Sequence, residues 1–195
     1  MSKLTDILRQ TGFNQTTERV PEDYYITPPI AVEELLKREK FDGKGWEPAS
    51  GNGAIAKFFP GIMASDIRKD DDIYGEKGID FLKVYRKVDF IITNPPFKLL
   101  LPFMEHSFIC ANKVAIFCRL QALESKSRYS FYKENPPIRI YIFVDRVSCV
   151  PMHFNRNAHA IMCFSWMIFE KGFKGSPTLH WILTKELNQN TFSLY

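Results

Sequence analysis

The sequence predicts an α/β fold, βα units first and a hairpin of strands last, from three observations. Short apolar runs that stop at acidic or amide residues alternate with stretches of helical spacing through the first two thirds. A small-residue loop, Pro48 to Gly53, separates one such run from a helix candidate, which is how a βαβ unit opens. The last third reads as consecutive strands. A chain of 195 residues, 45% hydrophobic and 25% charged, suits one compact α/β or α+β domain with a substantial core and leaves no room for a second large one.

Residues 1–23 mix polar residues with Gly12 and Pro21, and only Leu4, Ile7 and Leu8 hint at a helix; they predict a loosely held arm. After Thr27-Pro28-Pro29, residues Ile30 to Glu39 place Val32, Leu35 and Leu36 on one face, and proline suits a helix start. Lys44 to Glu47 is a short strand, followed by the glycine loop and a helix carrying Ile55, Phe58 and Phe59. Ile62 to Ser65 is a second strand ending at Asp66. Val88 to Thr93 is the strongest strand of the first half, and Asn94-Pro95-Pro96-Phe97 forces a turn after it. Leu101 to Asn112 and Leu120 to Phe131 follow as helices around a buried strand, Val114 to Cys118. Ile138 to Val144 and His159 to Phe169 are further strands, and Lys171 to Gly175 reads as a hairpin turn into Thr178 to Leu183.

Several function classes drop out early. Aromatics at 14%, with 17 Phe, exclude disorder as the main theme. No run of about eighteen apolar residues is present to span a membrane. The N-terminus lacks an apolar signal region, so a cytoplasmic location is expected. Cys110, Cys118, Cys149 and Cys163 form no C-x-x-C pair and have no histidine at zinc-ligand spacing; they predict reduced thiols and no metal.

Gly51-Asn52-Gly53-Ala54-Ile55-Ala56 fits G-x-G-x-x-A, the dinucleotide fingerprint. Glu47 argues against that ligand, because it ends the strand where it would face a pyrophosphate, yet it suits a cationic α-amino group. Asp66 ends the next strand, where a carboxylate accepts from ribose hydroxyls. The ligand that joins adenosine to a zwitterionic amino-acid tail is S-adenosylmethionine. Asp80-Phe81 adds a carboxylate and a ring placed for adenine. A purely steric glycine turn, and an Asp that only shapes a turn, remain the plain alternatives.

Asn94-Pro95-Pro96-Phe97 lies at the carboxyl end of an apolar strand, the ligand edge of an open α/β sheet. An exocyclic adenine amine has its lone pair delocalised into the ring. Two acceptors, the Asn94 side-chain oxygen and the Pro95 carbonyl, can hold both its hydrogens and favour a nucleophilic nitrogen. The prolines stiffen the turn, and Phe97 offers a flat face for an extruded base.

These residues resemble a known family, the S-adenosylmethionine-dependent DNA adenine-N6 methyltransferases, particularly small versions common in phages. The resemblance rests on Tyr25-Ile26-Thr27-Pro28-Pro29, Trp46 to Gly53, Ser65-Asp66, Asp80-Phe81-Leu82 and Asn94 to Phe97, in an order like the γ arrangement. Phe117 to Leu120, Leu123-Glu124-Ser125, Asp145-Arg146-Val147 and Trp166 to Gly172 extend it. It implies a Rossmann-like class I fold, a doubly wound, mostly parallel sheet of seven strands with the last antiparallel, formed by residues 24–195 as a single domain without a separate target-recognition domain. It implies a cofactor pocket at Thr27, Pro28, Glu47, Pro48, Gly51, Gly53, Asp66, Ile67, Asp80, Phe81 and Asn94, with Asn94, Pro95, Pro96 and Phe97 catalytic. Methyl transfer to adenine N6 in DNA by base flipping is the implied activity of a monomer-sized enzyme. The other readings are a methyltransferase for RNA adenine or a protein glutamine amide, and a non-catalytic nucleic-acid-binding protein of the same fold. A cytosine-N4 enzyme would more often carry Ser in place of Asn94.

The net charge of +4 is unevenly spread. Eight basic residues against three acids give Lys113 to Arg156 a charge of +5. Interleaved with Tyr129, Phe131 and Tyr132, these bases predict a phosphate-binding rim for DNA, with Arg119, Lys126, Arg128, Arg146 and Arg156 as its contacts. Ser148 to Asn157, with His153, Asn155 and Asn157, would reach base edges.

Overall fold

The computed structural model describes residues 25–145, 147 and 163–184. The arm of residues 1–23, Arg146, Cys149 and the expected base-reading loop with Arg156 lie outside them. Among the described residues the strands are β1 (Gly45–Glu47), β2 (Met63–Asp66), β3 (Glu76–Lys77), β4 (Phe90–Thr93), β5 (Lys113–Arg119), β6 (Arg139–Phe143), β7 (Phe164–Glu170) and β8 (Thr178–Ile182). They form one sheet in the order β3-β2-β1-β4-β5-β7-β6-β8. β1 pairs in parallel with β2 and β4, and β4 with β5, in registers such as Trp46↔Met63 and Ile91↔Val114. β7 alone runs antiparallel, between β5 and β6.

This is the expected doubly wound, mostly parallel, Rossmann-like α/β architecture, with one strand more than expected and with the antiparallel strand next to last: β8, the last, runs parallel to β6. The chain winds outward from β1 to β3, then returns and winds the other way through β4 and β5. The crevice at the carboxyl ends of β1 and β4 is therefore the topological switch point.

The strand period of two sends neighbouring side chains to opposite layers. Ile92, Phe117, Trp166 and Ile168 pack against Ala31, Val32 and Leu35 of α1 (Pro29–Leu36). Ile91, Ile116, Met167 and Phe169 pack against α2 (Leu100–Cys110) and α3 (Tyr129–Glu134). The buried indoles are satisfied: Trp166 Nε1 donates to the Ala31 carbonyl at 2.8 Å and Trp46 Nε1 to Ser65 Oγ at 2.9 Å. Cys110 and Cys118 are buried and Cys163 is exposed, all free; burial pushes the Cys118 thiol up to about 12, so it is inert. No helix among the described residues is long and apolar enough to cross a membrane.

Three elements differ from expectation. The helix after the glycine loop is only a 3₁₀ turn, Ala56–Phe58, because Pro60 forces Phe59 into an extended conformation. Leu120 to Phe131 is not continuous either. It breaks into two 3₁₀ turns, Leu120–Leu123 and Lys126–Arg128, since Ser125 is extended, before α3 begins at Tyr129. The final hairpin does not form: both edges of β7 are already taken, so β8 crosses over to lie parallel to β6.

At the amino edge of the sheet, Glu39 is 5% exposed and gathers the start of two strands. Its carboxylate accepts from Lys113 Nζ at 2.7 Å, from Tyr141 Oη at 2.8 Å and from the Arg139 guanidinium, which also reaches Glu170 at 3.1 Å.

Candidate active site

A cavity of about 590 Å³ opens where β1, β2 and β4 end, within the range of small-molecule sites. Glu47, Asp66 and Asn94 reach it from three strand ends. Thr27, Pro48, Gly51, Ile67, Asp80, Phe81 and Pro96 also line it, so most of the expected pocket residues are brought together. Pro28 caps the start of α1 and Gly53 turns toward Tyr74, both outside the wall.

Glu47 is 1% exposed, and its Oε2 has no hydrogen-bond partner. Burial foremost, then the nearby Asp66 carboxylate, pushes its carboxyl well above the usual range against the opposing Ala56 N–H. A buried acceptor left open beside a cavity fits a ligand ammonium. Asp66 accepts the Gly51 N–H at Oδ2 and the Arg68 N–H at Oδ1, each at 2.9 Å, and the Arg68 guanidinium leans on it at 3.3 Å. Ile67, 60% exposed, supplies an apolar face next to this carboxylate. Asp80 caps the turn Phe81–Lys83 by accepting from Leu82 N–H at 3.1 Å, and pairs with Lys83 at 3.0 Å. Phe81 is wedged between Trp46 and Phe103, at 5.0 and 4.9 Å between ring centres. An orphaned acid, a carboxylate beside an apolar face and a capped turn fit an adenosine carrying an amino-acid tail.

The glycine loop is laced to the segment after β2. Ser50 Oγ donates to the Tyr74 carbonyl at 2.7 Å, and Tyr74 N–H donates to the Gly51 carbonyl at 2.8 Å. Gly53 has φ +78°, and a Cβ there would lie 2.6 Å from the Tyr74 ring. Gly53→Ala is expected to cost about 1–3 kcal/mol, seen as a lower melting temperature; an unchanged melt would show that the loop does not depend on this glycine.

Asn94 is oriented by its neighbours. Its Nδ2 donates to the Tyr25 carbonyl at 3.0 Å and to Thr27 Oγ1 at 3.1 Å. A backbone carbonyl only accepts, so the amide nitrogen must face it and Oδ1 is left for an incoming donor. The Pro96 carbonyl accepts from Leu99 N–H at 2.9 Å, whereas among the described residues nothing donates to the Pro95 carbonyl. Of the two acceptors expected from the sequence, Asn94 lines the cavity, whereas Pro95 is buried and is not among the lining residues.

Phe97 packs on Tyr25, with ring centres 5.1 Å apart, and the Arg119 guanidinium lies over it at 4.0 Å. The basic segment is not one rim. Lys113 and Arg139 belong to the opposite edge, held by Glu39, because β5 and β6 begin there. Arg128 donates from Nε to the Ala122 carbonyl at 2.8 Å and stabilises the 3₁₀ turn, while Lys126 is exposed. The sequence reading missed Arg68, Ile79, Lys98, Leu99 and Phe103 in the cavity wall. Arg68 was signalled by its place two residues past a strand-ending acid; Phe103 on α2 had no signal beyond apolar spacing. Among the described residues no group of His, Cys, Asp or Glu could hold a metal ion.

Neither a family model nor a curated protein matches the chain by sequence. Solved structures do match by shape. A modification subunit of a putative type I restriction enzyme from Vibrio vulnificus aligns over 94% of this chain with TM-score 0.56 and 12% identity. This chain spans 51% of that subunit, about half its length. A putative RNA methyltransferase from Pyrococcus horikoshii aligns over 87% of this chain and 98% of its own, with TM-score 0.56 and 13% identity. A predicted O-methyltransferase from Agrobacterium tumefaciens aligns over 80% of this chain and 86% of its own, with TM-score 0.58 and 10% identity. At these identities the likeness establishes the methyltransferase fold.

Proposed function

We propose that the protein is an S-adenosylmethionine-dependent methyltransferase that modifies the N6 amino group of adenine in DNA. The observation that carries this is the fixed orientation of Asn94. Its nitrogen is spent on Tyr25 and Thr27, so its oxygen is left for an incoming donor at the cavity that holds the open Glu47 oxygen. Support also comes from a restriction-enzyme modification subunit of the same fold.

When bound, the cofactor supplies an electrophilic sulfonium methyl group. Glu47 would hold its ammonium, Asp66 its ribose hydroxyls, and Ile67 with Phe81 its adenine. Asn94 Oδ1 and the Pro95 carbonyl accept the two hydrogens of the target amine, drawing its lone pair out of the ring and toward the methyl. The bound cofactor would supply its methyl group to that nitrogen, and the surplus proton of the amine would leave to solvent. Positioning and preorganised acceptors do this without a covalent enzyme intermediate.

Incubating the protein with labelled S-adenosylmethionine and unmethylated DNA, then digesting to nucleosides, is expected to give labelled N6-methyldeoxyadenosine. Label confined to RNA or to protein glutamine would overturn the DNA assignment. No transfer to any of them would overturn the enzymatic one.

A further inference from the structure

The stacking face an extruded base would need already carries a flat group. Arg119 closes β5, whose neighbour β4 runs parallel and exits into the Asn94 to Phe97 turn, so its side chain emerges beside that turn. Its guanidinium carbon is 4.0 Å from the centre of the Phe97 ring and 5.8 Å from that of Tyr25. With the rings 5.1 Å apart, the three groups form a closed triangle. Among the described residues no acceptor takes a hydrogen bond from this guanidinium, and its Nε is buried without a partner. Arg128, by contrast, spends its donors on backbone carbonyls. A buried, unsatisfied donor is unfavourable, so what holds Arg119 in place is the ring contact.

We propose that Arg119 is a placeholder in the base slot: its guanidinium covers Phe97 in the free protein and yields that face to the extruded base as a nucleic-acid phosphate takes up its charge. This rests on reading the chain as a base-modifying enzyme. A planar cation 4.0 Å above an aromatic ring occupies the separation of a stacked base. Leaving the ring forfeits a cation–π contact, while a phosphate offers paired, charge-assisted bonds to the vacant donors. DNA brings base and phosphate together, so the exchange is compensated. A free nucleoside brings only the base and must displace the cation unaided. Arg119 is thus a substrate-positioning residue that makes the slot selective for nucleotides within a strand.

The signature is a split in sign. With the cofactor pocket saturated by S-adenosylhomocysteine, binding of 2-aminopurine deoxynucleoside is read by fluorescence quenching and binding of mixed-sequence duplex by anisotropy. Arg119→Ala is expected to bind the nucleoside roughly 2- to 10-fold more tightly. It should bind duplex several-fold more weakly, with a salt slope reduced by about one. Arg119→Lys keeps the charge without the flat face; it should gain nucleoside affinity and hold duplex affinity within about twofold, and it carries the test if the alanine variant does not fold. Both ligands weakening together, or nucleoside affinity unchanged in either folded variant, would overturn the proposal. Methyl transfer to DNA without the split sinks the placeholder alone; the split without transfer sinks the methyltransferase reading alone.

Discussion

Asn94→Ala should lower methyl transfer at least about 100-fold, the scale seen when one preorganised hydrogen-bonding group is removed from a reacting centre. S-adenosylhomocysteine binding, read by calorimetry, should remain within a few fold, because Glu47, Asp66 and Ile67 lie on other strand ends. The side chain has two tasks that a second variant separates. Asn94→Asp retains an acceptor but loses both donations, to the Tyr25 carbonyl and to Thr27 Oγ1. It places a carboxylate against a carbonyl oxygen, so the segment from Tyr25 to Thr27 should loosen and activity should fall as well. Transfer by Asn94→Ala within threefold of the parent would remove this residue from the chemistry.

The second large effect is at the far edge of the sheet. Glu39→Ala should cost about 3 kcal/mol, because it removes the shared carboxylate, 3% exposed, and leaves Arg139 only Glu170 and Lys113 only the Lys40 carbonyl as hydrogen-bond partners. For a domain of this size that lowers the melting temperature by roughly 10 °C. Burial pushes the Glu39 carboxyl up, but hydrogen bonds from Arg139, Lys113 and Tyr141 outweigh it and hold the group below its usual value. The unfolded carboxyl titrates near its ordinary value of about 4.3. The stabilisation is therefore present above that pH and is lost as the pH falls through the lower, folded value. In Glu39→Gln this part of the acid-side loss of stability should be missing. A Glu39→Ala melt within about 2 °C of the parent would show the cluster to be energetically idle.

Much of the sheet was legible because strand ends carry their own punctuation. Asp66 and the Asn94 turn mark where β2 and β4 stop, and the same residues are the ones that reach the cavity. The helices were less legible. Ile55, Phe58 and Phe59 have helical spacing, yet Pro60 leaves space for one turn only. Leu120 to Phe131 has it too, but Arg128 bonds back to the Ala122 carbonyl and fixes a tighter path. Periodicity reports which side chains are buried, and it is blind to such local competition. The pairing of β8 was hidden for another reason: a turn at Lys171 says that the chain reverses, not which edge is free. The charge of the basic segment misled in the same way, since sequence proximity joined Lys113 to Arg119 although β5 carries them to opposite edges.

The place of β7 sets a schedule for synthesis. β5 pairs with β7 over seven residues, from Lys113↔Glu170 to Arg119↔Phe164. Those partners leave the ribosome some fifty residues after β5, so the edge Val114-Ala115-Ile116-Phe117-Cys118 waits unpaired while the intervening chain is made. Such an apolar edge is a template for association with another nascent chain. Ribosomes stalled before Phe164 should display it openly, and chaperone demand should fall once Glu170 has emerged.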